Sequence, residues 1–345
     1  MKKTIEQKTA EENFYLKDFY FSYSSLNKLL YSPGIFYRHY VLGKKEDVET
    51  IATLMGKLTH CLLLDPDNFK NQFILLPGTQ PSDNPKKVIE QVFQHQLNLT
   101  TVGEFEEPAK NQLTDHKDTI IDILKEVNLY QSLKTDEQRI DKIITDSHQE
   151  YFEFLFNRQD KSIVDLPTHS ACVDIVEQLK ESDNVMTLLG KINLGENSQV
   201  FNEFGIQIEK EGSRSCGLKG ILDNLVIDST NKSIKINDLK TTSKTISEFR
   251  ETVDFFKLWI QAALYKKLVM ETFLLANNLN PDEWDIKFTF IVIDKYKQNY
   301  CFEVSKETMK AWEENLEKEL EKADWHYSNN RFDLPYELAI TDVLL

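Results

Sequence analysis

No C-x-x-C pair occurs in this 345-residue sequence, and its four cysteines (Cys61, Cys172, Cys216 and Cys301) stand far apart. That spacing argues against a zinc site or an iron–sulfur cluster and suits reduced thiols in a cytoplasmic compartment. No apolar run approaches the roughly 18 residues that a membrane-spanning helix needs, so no membrane association is expected. Lys2 and Lys3 lead into no apolar stretch, so the first residues read as a short N-terminal tail over 1–18 and not as a signal peptide. Internal repeats and low-complexity tracts are missing too. Basic residues are in deficit: 41 Lys and Arg face 56 Asp and Glu, for a net charge of −15. Phosphate binding usually leaves a basic footprint, so composition gives nucleic-acid binding no support. Net charge says little about a local groove, however. Lys44–Lys45, Lys86–Lys87 and Lys266–Lys267 either line a strand or form solvated faces.

The chain is long enough for a substantial core, and it reads as one domain over 1–345. A short helix is predicted through SSLNKLLY, capped by Ser22 or Ser24 and closed by Pro33. A second runs through DVETIATLMGKLTHCLLLD to about Pro66, with Ile51, Leu54, Met55, Leu58 and Leu62 as its apolar stripe. His60 falls on the opposite face, with Gly56 one turn before it. From 84 to 195 the pattern is polar and helical, as in DHKDTIIDILKEV and HSACVDIVEQLKE, and reads as a helical insertion. From 197 strands take over: SQVFNEFGIQIEK, GLKGILDNLVID and SIKINDLKTT. One long helix follows through EFRETVDFFKLWIQAALYKKLVMETFLLA, then a strand DIKFTFIVID paired with QNYCFEV, then an amphipathic helix KETMKAWEENLEKELEKA. The order predicts an α/β or α+β domain with a central mixed sheet flanked by helices, its core over 197–345.

The chemically informative piece is the hairpin from Gly220 to Lys240. A turn through DSTNK pairs residues whose numbers sum to 461, which sets Asp223 opposite Asp238. Lys240 shares the face of Asp238, as do Ile234 and Ile236, because strand side chains alternate with period two. Two facing carboxylates repel, and burying them costs more still. A divalent cation between them compensates; Mg²⁺ is the natural choice for oxygen ligands, with Mn²⁺ as a substitute. Such a metal makes water a better nucleophile and neutralises charge on a phosphoryl group. Lys240 beside it orients or deprotonates that water, or stabilises the developing negative charge. The competing reading of D-x-K at a strand end is a surface ion pair.

GILD, NDLKTT and then QAALY on the next helix resemble the core of the PD-(D/E)XK nucleases, whose fold is restriction-endonuclease-like. FSYSSLNKLLYSPGIFYRHY followed by MGKLTHCLLLDPDNF resembles, more narrowly, the start of RecE-type (exodeoxyribonuclease VIII-like) exonuclease domains of phages and prophages. The resemblance covers about 20–75 and 197–345. It implies that Asp223 and Asp238 bind metal and that Lys240 is the catalytic lysine. It also implies that His60 is a metal ligand or sits beside the metal, with the main-chain carbonyl of Leu239 as a further ligand. Gln261 and Tyr265, at i and i+4 on one helix face, match the Q-x-x-x-Y motif of RecB-like nucleases, and Glu203 matches a frequent upstream acid. Leu222 stands where the family name has proline, and Asp238 where many members have glutamate. The activity implied is exonucleolytic degradation of linear double-stranded DNA from the 5′ end, exposing single strands for recombination. A single-strand annealing protein and a ring-shaped homo-oligomer are the partners implied with it. Two other readings stay open: a structure-selective or single-strand endonuclease of the same fold, and a non-catalytic scaffold whose acidic surface mimics DNA.

Overall fold

Asp228 closes an exposed hairpin turn, its Oδ1 accepting from the backbone N–H groups of Thr230 and Asn231 at 3.0 Å each. In a computed structural model, which describes residues 4–45, 49–102, 112–210, 212 and 214–341, this turn joins the two middle strands of a six-stranded sheet. Its strands are β1 (Tyr20–Phe21), β4 (Ser198–Ile208), β5 (Gly217–Asp228), β6 (Ser233–Thr242), β7 (Asp285–Asp294) and β8 (Asn299–Glu303). Strand β2 (Phe73–Leu75) and strand β3 (Ser162–Val164) pair with each other elsewhere. β4–β5, β5–β6 and β7–β8 are antiparallel, while β6–β7 and β1–β5 are parallel. The mixed sheet is therefore as expected, and so is the hairpin register, since Asn224 pairs with Asn237 and Asp228 with Ser233.

Alternation along these strands gives the sheet two apolar faces. Ile234 and Ile236 of β6 and Phe288, Phe290 and Val292 of β7 join one cluster with Ile260, Ala263 and Leu264 of the Leu258–Val269 helix. Met309, Leu316 and Leu320 of the Lys306–Ser328 helix complete it. On the other face, Leu239, Ile291 and Ile293 meet Leu63 and Leu64 of the Ile51–Leu64 helix. Val176, Leu179, Val185 and Leu189 belong to that same cluster.

Residues 174–195 thus serve the sheet. The chain divides into two compact units, 1–65 with 174–345 and, separately, 66–173, so the break points differ from the expected 84–195 segment. The second unit has its own core, in which Val88, Ile89 and Val92 cluster with Ile120, Leu124 and Phe152. The charged pattern that suggested a continuous insertion fails at its C-terminal end because Val176, Leu179, Val185 and Leu189 show their role only against the sheet.

Four further expectations change. Residues 5–15 form a helix in place of the expected tail, opened by a Thr4–Gln7 capping box and held by Phe14, which packs edge-on against Phe36. Pro33 opens a short helical turn instead of closing the Tyr23–Tyr31 helix, which Ser22 caps. The long helix drawn through 248–276 is broken: Phe249–Phe255 ends, Lys257 turns left-handed at φ 51°, and Leu258–Val269 begins anew. In the Ile51–Leu64 helix the buried positions are Leu58, Thr59, Cys61, Leu63 and Leu64, and Ile51 is exposed, so the stripe lies further along than its periodicity suggested. Among the described residues, no helix is long and apolar enough to cross a membrane.

Candidate active site

The β5–β6 ladder stops at Asn224↔Asn237, one residue before Asp223 and Asp238 would meet. β6 continues beside β7 as far as Thr242, and β1 takes the vacated edge of β5 at Gly217 and Leu218. Between these lies a fork. The register sum is the expected one, but the two aspartates are not a ladder pair; carboxylates set face to face would repel. Asp223 instead reaches across, and its Oδ2 accepts from the Leu239 N–H at 2.7 Å, so a side chain supplies the acceptor that the lost ladder would have given.

Glu203 stands on β4 between the pairs Asn202↔Asn224 and Phe204↔Leu222, in register with Asp223 but not paired to it. Its φ is 45°, left-handed for a non-glycine residue, a conformation costing roughly 1–2 kcal/mol. Strain of this kind persists where surroundings impose it, often at functional sites. His60 approaches from the Ile51–Leu64 helix. Its Nε2 lies 2.9 Å from the Leu239 carbonyl oxygen, and its Nδ1 lies 3.6 Å from both Glu203 Oε1 and Asp223 Oδ2. Gly56, one turn earlier, faces the Thr241 hydroxyl, and a Cβ there would meet it at an ordinary 3.5 Å.

Asp238 is fully buried and held from two sides. Gln261 Nε2 donates to its Oδ1 at 2.7 Å, and the Lys240 ammonium lies 2.7 Å from its Oδ2. The same Gln261 amide donates to the Tyr265 hydroxyl at 3.1 Å. Gly220 makes room for that tyrosine: a Cβ there would stand 2.7 Å from Tyr265 Cε1. Burial pushes Asp238 up to about 6, with Asp223 adding to the rise and Lys240 opposing it. For His60, burial favours the neutral ring, but Asp223 and Glu203 outweigh it and raise the pKa to about 9. Burial also acts against the Lys240 charge, yet Asp238 and Asp223 prevail and its pKa rises. Lys240 is thus held as an ammonium beside Asp238, placed to stabilise negative charge.

The named residues thus converge on one place: His60, Asp223, Asp238, the Leu239 main chain, Lys240, Gln261 and Tyr265. Glu203 joins them as the third member of a potential metal-ligating group with His60 and Asp223, whose ligand atoms lie within 4.8 Å of one another. This donor set fits a hard divalent cation. Glu203 Oε1 is buried without a hydrogen-bond partner, and such an atom is costly unless something binds it. Lys266 and Lys267 pair with Glu313 and Glu317 at 2.9 and 3.0 Å.

Sequence reasoning missed a polar ladder beside the fork. Asn237 Nδ2 donates to Asn224 Oδ1, and Asn224 Nδ2 to Asn202 Oδ1, each at 2.8 Å. The same amides donate to the carbonyls of Leu188 and Leu189 at 2.8 and 3.3 Å, which satisfies the last turn of the Asp183–Leu188 helix. The signal was present: each aspartate has an asparagine at its hairpin side, and the two asparagines share the register sum of 461. Tyr23 was also missed; the charges of Lys240 and Asp238 act on its hydroxyl, whose pKa burial raises to about 12.

Compared with known proteins, the sequence model of the PD-(D/E)XK nuclease superfamily matches residues 20–333. No curated protein matches the sequence. A crystal structure of a candidate exonuclease from Eubacterium rectale matches with 14% identity and a TM-score of 0.43, over 100% of this chain and 95% of that one. A likeness of that size supports neither a substrate nor a mechanism.

Proposed function

This chain belongs to the PD-(D/E)XK nuclease superfamily, and from that premise we propose that it is a Mg²⁺-dependent exonuclease of linear double-stranded DNA, working 5′→3′. The observation that carries the reading is the fork itself. His60, Glu203 and Asp223 offer ligand atoms within 4.8 Å of one another, beside the buried Asp238–Lys240 pair. His60 Nδ1 and the carboxylates of Glu203 and Asp223 would hold the cation, with Asp238 and the Leu239 carbonyl as further ligands. When bound, the cation neutralises phosphoryl charge and makes water more acidic. The Leu239 carbonyl also accepts from His60 Nε2, which turns Nδ1 of the ring toward Glu203 and Asp223. Gln261 fixes the Asp238 carboxylate, which holds the Lys240 ammonium, and that ammonium stabilises the negative charge developing on the phosphate oxygens.

The exonuclease assignment, its polarity and its place in recombination are supported by the RecE-like FSYSSLNKLLY and MGKLTH segments. Those segments also favour a single-strand annealing partner and a ring-shaped homo-oligomer, while the well-separated cysteines favour a cytoplasmic setting. Mn²⁺ should replace Mg²⁺. We read 66–173 as an insertion in one nuclease domain. Linear duplex labelled at the 5′ or the 3′ end, compared with closed circular duplex and circular single strands, tests the proposal. Release of the 5′ label as short products, with both circles intact, is expected. Cleavage of circles would make the protein an endonuclease, and light scattering at the mass of one chain would remove the ring.

A further inference from the structure

Side chains on a strand alternate, so two residues three apart lie on opposite faces. Phe201 and Phe204 of β4 break that rule. Their ring centroids are 4.9 Å apart, and both rings meet that of Phe273, at 5.9 and 6.0 Å. Their ladder partners on β5, Leu225 and Leu222, likewise belong to one apolar cluster. On both strands the two residues in between turn to the other side. Asn202 and Asn224 join the asparagine ladder, while Glu203 and Asp223 face His60. The two strands thus invert their faces at Glu203 and Asp223, and the inversion brings both carboxylates to one place.

On β4 the inversion is taken up by Glu203 itself, at φ 45°. Glycine adopts that conformation freely, whereas glutamate meets a bias against it of roughly 5- to 30-fold. Its carboxylate does not draw it there: Glu203 Oε1 is buried without a hydrogen-bond partner, and His60 Nδ1 stays 3.6 Å away. The constraint acts from the other face, where the three rings meet. Phe273 comes from Met270–Leu274, a single π-helical turn after the Leu258–Val269 helix, and such turns are frequent at functional sites. Each aromatic pair is worth roughly 2- to 12-fold in an equilibrium, so the two contacts that Phe273 makes are enough to offset the bias.

We propose that Phe201, Phe204 and Phe273 form an aromatic clamp that keeps Glu203 left-handed and so presents its carboxylate to the cation beside His60 and Asp223. The three are positioning residues, acting through Glu203 from the opposite face of the sheet. This rests on the metal-dependent nuclease reading and names what shapes its metal site.

The test is a double-mutant cycle with two readouts. In calorimetric Mn²⁺ titrations, Phe273→Ala should weaken Kd by about 5- to 30-fold, the factor by which Glu203 then leaves its binding conformation. Glu203→Gln should weaken it too, and the two together should bind no more weakly than Glu203→Gln alone. Phe273→Tyr, which keeps the ring, should bind as wild type does. Thermal melts in EDTA compare Glu203→Gly with Glu203→Gln, so that the lost charge cancels. Glu203→Gly should melt above Glu203→Gln when Phe273 is present, and no higher in the Phe273→Ala background. Phe204→Leu, which keeps apolar bulk without a ring, takes the place of Phe273→Ala if that variant does not fold. Independent losses of Mn²⁺ affinity, or a Glu203→Gly protein that never melts above Glu203→Gln, would overturn the clamp and leave the nuclease standing. Wild type that binds no Mn²⁺ would instead remove the metal reading on which the clamp rests.

Discussion

Asp238→Asn isolates the cost of the buried charge at the fork, because asparagine keeps the shape and its oxygen can still accept from Gln261. The folded pKa of Asp238 stands at about 6 against an ordinary 3.8. The folded protein therefore holds that proton more tightly than the unfolded chain does. The charge costs nothing below the ordinary value, the cost grows as pH rises between the two, and it is complete above about 6. At 1.36 kcal/mol per pKa unit the full cost is about 3 kcal/mol. About half has accrued by pH 5, so the stability of the variant minus that of wild type should rise by roughly 1 kcal/mol from pH 5 to pH 8. With an unfolding entropy of roughly 2.1 cal/mol/K per residue, that is about 1–2 °C in Tm for a chain of 345 residues. Losing the ion pair to Lys240 shifts the variant by an amount that hardly changes over this range, so it cancels in the comparison. Thermal melts in EDTA, followed by circular dichroism, give the numbers. A Tm of the variant, relative to wild type, that stays flat or falls from pH 5 to pH 8 would refute the buried-charge reasoning.

Three more outcomes are expected. His60, with its pKa near 9, must lose a proton to ligate a metal, so Mn²⁺ affinity measured by calorimetry should tighten by up to about tenfold per pH unit from 7 to 9. His60→Ala should bind more weakly with no such slope. Gln261→Ala removes the donor that fixes Asp238 and should lower kcat about 10- to 100-fold in a DNA-degradation assay, the usual loss when a supporting hydrogen bond is removed. Asn224→Leu strands the Leu189 carbonyl and part of the asparagine ladder, and urea unfolding should show a loss of about 1–3 kcal/mol.

Strand alternation and turn chemistry are local, which is why β5, β6, β7 and β8 and the 461 register could be read from the sequence. The same alternation put Asp238 and Lys240 on one face, and helical spacing put Gln261 and Tyr265 together. What could not be read depends on partners distant along the chain. The fork exists because β1, nearly 200 residues before β5, occupies the edge that β6 leaves. Glu203 joins the site through a left-handed backbone that no propensity suggests. The break at Lys257 is enforced by Tyr23 and Asn27, and without them the apolar pattern through 248–276 reads as one helix. The boundary of 66–173 was missed because a helix of mixed charge shows which sheet it covers only when that sheet is present.

Incubating the purified protein with linear duplex DNA and Mg²⁺, beside Lys240→Ala and an EDTA control, tests most directly whether the fork is a metal-dependent hydrolytic centre. Acid-soluble nucleotides released by wild type, with release abolished in the variant and by EDTA, are the expected result. Equal release by wild type and Lys240→Ala, or release that survives EDTA, would contradict it.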